Sequence, residues 1–574
     1  MPLTKVKGAV WDGSDNGQAA SVKDFGAKGD GVSDDTSALQ AALTYLQTSG
    51  GSLFFPVGVY RTSATLTLTS ANGFTIYGNN ATIKKLDSAP IAGGYGGIQF
   101  VSCSNGAIYN LNLDGNRAAR GALSITSSHQ YDIQGGSNLI FDGCKSDNSI
   151  MDGWYLRGTD PATQATYPTD IVIRDCSANN SYRNGLSAVG SVRLKIVRGK
   201  YSGSTGTAPQ AGIDIEPNAS DVFGNTSFLV DGVSVTDNAG RGFSVASTTV
   251  KSSGTVQGLV GKNNTDGFMI LGGADGVDIF NPVCLAHSAT TNGLVQIPSG
   301  GNNISIHSPV FLGITASGAG LACIKTNSAS TGIKIFNMVV RVSALAAIVA
   351  QGKVLVDGVD VEGCTDSSSC ISSSFAGSVL RNIRINGFTG NYSFYTSGAN
   401  TVLEECYVSD ATSTIACVRF DTGSTGSIAR NITAYQSSGS VPGGQYALRC
   451  DVAMQEISNI SGLNGYTSAN MLNMSAANII NTRVGIIEPN PLEVSFTYDP
   501  ASIAAGAGNL STAQALALAN LGDACVVRPP YDMQGVNAYA FVSSTGNVKL
   551  SLQNSTAGAI DLASGTWKIK LNKA

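Results

Sequence analysis

The sequence predicts an all-β chain built as a parallel β-solenoid, and three observations lead to that prediction. First, a cassette of glycine, apolar, any and apolar residues recurs along the chain, with steps of 32, 27, 30, 25 and 26 residues between successive glycines. Second, another family of short strands lies between the cassettes, and both families alternate with period two. Third, no helical periodicity separates them. A β-propeller fits less well because its blades need roughly 40 residues.

Composition is consistent with this prediction and excludes several other classes. Among 574 residues there are 69 glycines and only 16 prolines, 13% of the residues are charged and the net charge is −4. These values exclude a collagen-like chain, a charge-rich disordered chain and a long coiled coil. Without a basic stripe, nucleic-acid binding is disfavoured. No apolar run approaches the ~20 residues that span a bilayer, and no secretion signal opens the chain, so we expect no membrane contact.

The cysteine and histidine content argues against a metal site. The chain has 11 cysteines, an odd number without CxxC spacing, and three histidines that never cluster with them. We expect buried, reduced thiols, no metal and no cofactor.

One amphipathic helix is predicted near the start, at residues 34–48. Asp35 or Thr36 can cap it, and its apolar face consists of Leu39, Ala42, Leu43 and Leu46. The end of a solenoid exposes an open apolar cross-section, so this helix is expected to cover it.

The cassettes then build successive coils. Strong copies begin at Gly153, Gly185, Gly212, Gly242, Gly267 and Gly293, and weaker upstream copies at Gly97 and Gly121. Residues one and three after each glycine should point inward, and residues two and four outward. Trp154 is therefore expected in the core, and Leu186, Ile213, Phe243 and Phe268 are expected to stack in adjacent strands.

The second strand family predicts two further columns. An inward one contains Cys144, Cys176, Val233, Val283, Val310, Met338, Val359, Ile383, Cys406, Ile432 and Ile460. A neighbouring one contains Asn337, Asn382, Asn431 and Asn459, whose amides can bond one another at a bend.

The repeat stops near residue 485. Residues 488–491 are typical of a linker, and alternating segments follow: ACVVRPP, AYAFVSS, VKLSLQN and TWKIKLN. They predict a small β-sandwich of about 85 residues.

Three segments resemble a known family. SVKDFGAKGDGVSDDTSALQAAL followed by GGSLFFPVGVYRTS, at residues 20–60, resembles the opening of the pectate-lyase-like right-handed β-helix superfamily, which includes bacteriophage tailspike depolymerases. The tail, from FTYDPASIAAG to GAIDLASGTWKIKL, is similar to a C-terminal β-sandwich of phage tailspikes, and GIDIEPN at 212–218 resembles a segment of phage depolymerases.

The resemblance implies a right-handed helix and a homotrimer on the virion tail that cuts a bacterial capsular polysaccharide or exopolysaccharide. Residues 1–20 would attach to another tail protein, 21–485 would form the catalytic β-helix, and 488–574 would serve trimerisation or carbohydrate binding. Such a protein would be made in the host cytoplasm without a signal peptide and act outside the bacterial cell. The Asn264-Thr265-Asp266-Gly267 segment resembles one polygalacturonase element, but the Asp-Asp element expected one coil later is missing, so that active site is not carried over.

The outward columns predict where the chemistry lies. One reads Tyr155, Ser187, Asp214, Ser244 and Met269, and the next Arg157, Val189, Glu216, Ala246 and Leu271. Asp214 and Glu216 thus share one face of one strand, and we predict them as the catalytic pair of a glycosidase. A solvated acid pair that partners a nearby arginine is the structural alternative.

Polar residues around this pair are predicted to bind substrate. Tyr155 and Arg157 lie two coils below, at about 10 Å. Arg183 and Asn184 precede the intervening strand, Arg241 precedes the strand above, and Asp152 aligns with Asn184, where capping of the turn is its alternative role.

Long insertions between residues 153 and 242 place loops at the same position. Tyr167, Tyr182 and Phe223 within them, together with Tyr155, are candidate faces for sugar rings. Arg419 and Asp421 form an alternative outward site farther along the helix.

Three functions remain open at this point. Endo-hydrolysis of a bacterial capsular polysaccharide or exopolysaccharide is favoured. β-Elimination on a uronate-containing polymer is the second, and it would depend on Lys, Arg, Tyr or His more than on an acid pair. A non-catalytic adhesin of the same fold is the third.

Overall fold

A computed structural model describes most of the chain. The described residues are 19–91, 96–120, 128–247, 249–287, 293–316, 321–366, 368–412, 415–438, 445–463, 466, 472–474, 482–486, 493–516 and 519–572. They divide into two compact units, residues 1–486 and 487–574, with separate apolar cores. The proposed linker at 488–491 and most of the proposed attachment segment lie outside the described residues.

The first unit is a right-handed parallel β-helix, as the repeat and the resemblance predict. Its cassette strands form one parallel sheet of sixteen described strands, which we call the cassette sheet. In chain order these strands are Leu66–Thr69, Ile98–Val101, Tyr131–Gln134, Trp154–Arg157, Leu186–Ala188, Ile213–Ile215, Phe243–Val245, Met269–Ile270, Val295–Ile297, Ala322–Thr326, Ala346–Ala350, Ser369–Ser373, Tyr392–Thr396, Ala416–Phe420, Tyr446–Cys450 and Leu472–Met474.

The remaining strands of the helix form a second parallel sheet, which bends around the core. In the lower coils each turn contributes two short strands, and from Ile333 onward the two merge into one long strand. These strands are Ala19–Ser21, Asp30–Asp34, Gly51–Phe54, Val59–Thr62, Asn72–Tyr77, Thr82–Lys85, Ser104–Tyr109, Asn112–Asp114, Ser137–Asp142, Lys145–Asp147, Thr169–Arg174, Ser177–Asn179, Lys195–Val197, Lys200–Ser202, Phe228–Asp231, Ser234–Thr236, Ser252–Gln257, Val260–Lys262, Ala274–Phe280, Val283–Leu285, Asn302–His307, Val310–Ile314, Ile333–Ser343, Val354–Cys364, Val379–Asn386, Val402–Ser409, Ile428–Tyr435, Glu456–Leu463 and Thr482–Ile486.

Helices are few. The α-helix Thr36–Ser49 buries Leu39, Ala42, Leu43 and Leu46, which is the predicted face, and short 3-10 helices span Val22–Phe25 and Gln164–Thr166. The predicted cap is only half right. Asp35 occupies the N-cap position, but its carboxylate accepts hydrogen bonds from the backbone of Lys28 and Gly29 and so holds the preceding loop instead. Among the described residues, no helix is long and apolar enough to cross a membrane.

The core ladder follows the predicted register for three coils and then shifts by one residue. Leu186, Ile213 and Phe243 stack in order, but Met269, not Phe268, follows Phe243. A bulge causes the shift, because the N–H groups of Phe268 and Met269 both donate to one carbonyl oxygen, that of Leu294.

The outward columns shift in the same coil. Ile270 takes the outward position predicted for Met269, which is buried. Leu271, predicted outward, is also buried.

A strand was also missed. The weak cassette placed at Gly121 lies outside the described residues, and the strand of that coil is Tyr131–Gln134, which has glutamine where the cassette has glycine. Its Tyr131 ring stacks on Trp154 at 4.0 Å between centroids, and both side chains are buried as predicted for Trp154.

The second-sheet columns are confirmed with two exceptions. Met338, Val359, Ile383, Cys406, Ile432 and Ile460 stack in order, and Cys144 and Cys176 are buried free thiols. Val283 and Val310, however, point outward, because Pro282 and Pro309 fill the inward positions beside them.

Asparagines mark the neighbouring bend. All four predicted asparagines have positive φ, but only Asn459 and Asn431 share an amide hydrogen bond, at 2.7 Å. Asn382 donates to Asp357 instead.

The second unit is an antiparallel, barrel-like sheet of seven described strands around its own core. Its strands are Glu493–Tyr498, Gly508–Leu510, Gln514–Ala515, Ala524–Arg528, Val536–Ser544, Asn547–Asn554 and Gly565–Asn572. Trp567, Ile569 and Leu571 alternate inward along the last strand, as period two predicts.

Candidate functional site

The predicted outward column is present in the cassette sheet. Tyr155 pairs with Ser187, Ser187 with Asp214, and Asp214 with Ser244 in adjacent parallel strands. Because residues alternate across a strand, Asp214 points away from the core between two buried neighbours, Ile213 and Ile215. The column nevertheless excludes solvent, since the Asp214 side chain is only 1% exposed.

Asp214 and Glu216 are alternate residues at the end of one strand, so their side chains leave the same side of the sheet. Burial raises the pKa of Asp214 well above its usual range, and the neighbouring Glu216 charge adds to that rise. Burial also raises the pKa of Glu216, although Arg183 opposes the effect. Burial thus favours the protonated form of Asp214 most strongly, whereas Arg183 favours the charged form of Glu216.

Arg183 connects this pair to a buried carboxylate. Its Nη2 lies 2.6 Å from Asp152 Oδ2 and 3.7 Å from Glu216 Oε1, and its Nε donates to Asp152 Oδ1 at 2.8 Å. The ion pair and burial compete at Asp152. Burial favours the neutral acid, but Arg183 and then His129 outweigh it and hold the pKa of Asp152 well below its usual range. Asp152 is thus an anion with no exposed surface, and it acts by positioning Arg183.

Asn184 is a buried residue that makes hydrogen bonds within the site. Its Nδ2 donates to Ser187 Oγ at 3.0 Å and lies 3.4 Å from Asp214 Oδ2, and its Oδ1 accepts from the backbone N–H of Ala211. Its own N–H donates to Asp152. It therefore links the predicted pair to the Asp152 turn.

Tyr155 lies beside a histidine that was not singled out from the sequence. The His129 ring stacks on Tyr155 at 3.7 Å between centroids with 4° between planes, and His129 Nδ1 is 3.1 Å from Asp152 Oδ2. One coil below Tyr155 the outward column continues with Asp132, also buried. Both residues were missed because their coil has no cassette glycine, although the 23-residue spacing from Tyr131 to Trp154 is a signal for it.

Arg157 is the most accessible of the predicted arginines. Its side chain is 42% exposed, and its Nε is 4.0 Å from Asp132 Oδ1. Its guanidinium carbon lies 6.0 Å from the centre of the Tyr155 ring. Arg157 therefore presents a cation at the accessible margin of the site.

Arg241 is directed toward the coils above, away from the carboxyl pair. Its guanidinium contacts Asp266 at 3.1 Å, the carbonyl oxygen of Gly293 and Oε1 of Gln296. Gly267 makes room for it, since a Cβ there would lie 2.7 Å from Arg241 Nη1. The structure thus brings together Asp152, Tyr155, Arg183, Asn184, Asp214 and Glu216, with Arg157 at the margin and Arg241 on the upper side.

Two of the predicted loops are fastened to each other beside the site. Tyr167 Oη donates to the carbonyl oxygens of Pro161 and Phe223, and the Val222 N–H donates to Pro161. Tyr167 is only 2% exposed, so it is unavailable as a face for sugar rings, whereas Phe223 and Val222 remain exposed. The two loops are therefore held together by backbone and side-chain hydrogen bonds.

The alternative site at Arg419 is a closed network. Arg419 pairs with Asp421 at 2.9 Å and with Asp451 at 2.8 Å, and its guanidinium lies over the rings of Tyr392 and Tyr395. Tyr395 Oη donates to Asp421 at 2.5 Å. The pKa of Asp421 is lowered by the Tyr395 hydrogen bond and by Arg419, so no proton is held there.

In the ranges that the structure describes, no three His, Cys, Asp or Glu side chains converge to hold an ion.

Comparison with known proteins supports the resemblance read from the opening motif. A family model described as rhamnogalacturonase A/epimerase, pectate lyase-like, matches residues 19–90. Among curated proteins, the chain is 30% identical over 191 residues to the pre-neck appendage protein of Bacillus phage B103, covering 31% of this chain and 22% of that protein. It is 32% identical over 186 residues to mannuronan C5-epimerase AlgE4 of Azotobacter vinelandii, covering 29% and 32%.

These matches span about a fifth to a third of those two proteins. Among solved structures, the tailspike protein of E. coli bacteriophage HK620, in complex with a pentasaccharide, aligns over 97% of this chain and 93% of its own. The identity is 12% and the TM-score 0.48.

Proposed function

We propose that this chain is a phage tailspike depolymerase that cleaves glycosidic bonds of a bacterial capsular polysaccharide or exopolysaccharide by endo-hydrolysis. The observation that carries the proposal is the Asp214–Glu216 pair, two carboxyl groups on the outward side of one strand, one of them buried and the other 3.7 Å from Arg183 Nη2. Glycosidases need one protonated and one ionised carboxyl group. Similarity to a phage appendage protein and to polysaccharide epimerases supports the setting.

The two acids divide the work by their protonation. Asp214 holds the proton and donates it to the glycosidic oxygen as the bond to the anomeric carbon breaks. Glu216, ionised beside Arg183, serves as the nucleophile or as the base that activates water. Whether the anomeric configuration is retained or inverted is measured by proton NMR of the first product.

Arg183 sets the charge of Glu216, and Asp152 and His129 set the position of Arg183. An Arg183 guanidinium held by a buried anion cannot swing away from Glu216 without leaving Asp152 unpaired, which is costly. Tyr155 and Arg157, two coils below the pair, would contact a neighbouring part of the sugar chain through a ring face and a cation.

The same proposal includes assembly and location. We propose a homotrimer on the virion tail, attached through the N-terminal residues to another tail protein, with its substrate outside the bacterial cell. The C-terminal unit would contribute to trimerisation or to carbohydrate binding.

The test is incubation with a panel of purified capsules, followed by reducing-end assay and mass spectrometry of the fragments. Asp214→Asn and Glu216→Gln should each lower kcat by ~10² or more, because each removes one proton-transfer partner. Their melting temperatures should stay close to that of the unmodified protein. Asp278→Asn, an exposed outward acid on the second sheet, is the matched control and should keep full activity. If both site variants retained near-normal rates, the pair would be structural.

The stack of His129 on Tyr155 favours β-elimination as a second candidate. In that reaction a base removes the proton at C5 of a uronate, the C4–O bond breaks, and the leaving oxygen takes up a proton. Tyr155 and His129 are groups suited to moving these protons, and Arg157 could neutralise the carboxylate. An unsaturated product that absorbs ultraviolet light, together with loss of activity in Tyr155→Phe, would show that the reaction is elimination and not hydrolysis. Binding without fragments would indicate an adhesin.

A further inference from the structure

The second sheet carries two apolar strips that face solvent. The first strip, the aromatic strip, consists of Phe280, His307 and Phe336, which are paired in adjacent strands. The rings stack at 4.7 and 4.8 Å between centroids, with 13° and 17° between planes. Each of the three follows a buried isoleucine, points outward and is partly exposed.

The second strip, the valine strip, consists of Val260, Val283, Val310 and Val339, also paired in register. These are half-exposed as well, and Leu312 beside them is 36% exposed. In the same column one coil below Val260 the residue is Ser234, so the apolar character begins at a definite coil.

The two strips flank one bend of the helix. Between them lie Asn281, Ser308 and Asn337, each in the left-handed conformation with φ of 50°, 51° and 52°. Because the bend turns the chain, the strips face in different directions on either side of one edge. They also lie on the same three coils, since Phe280 and Val283, His307 and Val310, and Phe336 and Val339 are each three residues apart.

We infer that this edge is where copies of the chain meet, with the aromatic strip of one copy packed on the valine strip of the next. A closed cyclic assembly requires each copy to present two different surfaces, one to each neighbour. The two strips are two such surfaces, and they lie on the same coils. Rotation of a copy about an axis parallel to the β-helix therefore brings the two strips together without a shift along that axis. The inference rests on the proposed homotrimer for the number of copies, whereas the face is assigned from the strips.

The periodicity of the strips favours a second copy over another partner. Successive side chains along each strip are separated by one strand spacing, about 4.8 Å. A parallel copy has the same spacing between its coils. Each ring of the aromatic strip can therefore pack in the same way between successive valines of the neighbouring copy. A polysaccharide would find few groups to hydrogen-bond, because His307 is the one polar side chain among the members of the two strips.

The coils above extend the apolar surface and do not oppose contact. Leu355, Val379, Val402 and Ile428 form a further outward column in register, all half-exposed. Beside it, charges of alternating sign neutralise one another within the chain, with Arg381 on Asp357 and Arg430 on Glu404, both at 2.8 Å. These two ion pairs therefore add no net charge beside the column.

The first test is light scattering on the full chain. The unmodified protein should have three times its chain mass of 58.8 kDa, and Val310→Lys should reduce the mass to that of a single chain. Ser234→Lys, in the same outward column but below the apolar coils, is the matched control and should remain assembled. Far-ultraviolet circular dichroism should show unchanged β content in both variants.

A second test does not depend on weakening the interface. The double variant Phe280→Cys with Val283→Cys should form disulfides between chains under mild oxidation, seen as a ladder on a non-reducing gel. Phe280→Cys with Ser234→Cys should not, because Ser234 lies two coils below Val283.

The outcomes separate this inference from the proposed function. If the unmodified protein and Val310→Lys were both trimeric and no cross-links formed, the proposed trimer would stand and the proposed contact face would be wrong. If the unmodified protein had the mass of a single chain, both the trimer and the contact face would be wrong. The proposed catalytic activity would still be tested separately by the capsule assay. Loss of capsule binding by Val310→Lys at unchanged mass would assign the face to polysaccharide and also overturn the inference.

Discussion

At the scale of single residues, burial and one arginine decide the chemistry of the site. Asp214 and Glu216 differ by one methylene group, yet Asp214 is enclosed and Glu216 has a 25% exposed side chain that faces Arg183. The pKa of Asp214 rises further for this reason, whereas Arg183 opposes the rise at Glu216. Each acid thus has a role that its residue type alone does not assign.

The pH dependence of activity follows from these shifts. Activity requires Asp214 protonated and Glu216 ionised, so kcat falls at low pH as Glu216 gains a proton and at high pH as Asp214 loses one. Because burial raises both pKa values, both limbs should lie above the ordinary carboxyl values of 3.8 and 4.5. A pH–rate profile on purified capsule measures this. An optimum at or below those ordinary values would contradict the assignment.

Asp152 should be important for stability as well as for position. Asp152→Asn leaves the Arg183 guanidinium without its buried anion, and breaking such a pair costs about 3–5 kcal/mol. The direction in which stability changes with pH is defined, because the pKa of Asp152 is depressed in the folded protein. Its stabilisation is complete above the ordinary carboxyl pKa and is lost as pH falls below that value.

Denaturant unfolding at neutral and acidic pH checks the Asp152 prediction. The matched control is Asp170→Asn, which breaks the surface pair with Arg193, whose side chains are about half exposed, and should cost about 0–1 kcal/mol. Equal losses for the two variants would show that Asp152 contributes no more than a surface acid.

At the scale of elements, one bulge separates the site from the coils above it. Gly267 has φ of 115°, and after it the strand shifts by one residue, so that Ile270 and not Met269 continues the outward column. The same glycine admits the Arg241 guanidinium, which is thereby held on Asp266 and not on the Asp214–Glu216 pair. The polar column that starts at Tyr155 is therefore interrupted at Ile270.

Gly267→Ala should destabilise the helix and displace Arg241. The added Cβ would lie 2.5 Å from the Gly293 carbonyl oxygen, in addition to the cost of a positive φ, roughly 1–2 kcal/mol for a non-glycine residue. Gly276→Ala is the control, because it has positive φ but its nearest neighbour lies at 3.9 Å. Urea unfolding should show a larger loss for Gly267→Ala. Equal losses would mean that the crowding is relieved at no cost.

At the scale of the whole molecule, a solenoid leaves a long surface, and the apolar strips show that this surface is not uniform. If copies meet at the strips, unfolding is coupled to dissociation, and the melting temperature must rise with protein concentration. Calorimetry at two concentrations checks this prediction, with Val310→Lys as the concentration-independent control. A melting temperature of the unmodified protein that does not change with concentration would contradict it.

The sequence alone determined the architecture because a parallel β-helix repeats its local rules. Period two defines which side chains face the core, and the spacing of Gly153, Gly185 and Gly212 defines the coil. From these two numbers the column of Tyr155, Ser187 and Asp214 follows directly, as does the capping helix.

Tertiary structure decided what the repeat does not encode. His129 and Asp132 reach the site from a coil without a cassette glycine, and Arg241 turns away from it through a bulge that pattern matching does not reveal. Protonation likewise depends on how deeply Asp214 is buried. Position along a strand is a local property of the chain, whereas burial and charge are set by neighbours tens of residues away, and only the folded coils bring those neighbours together.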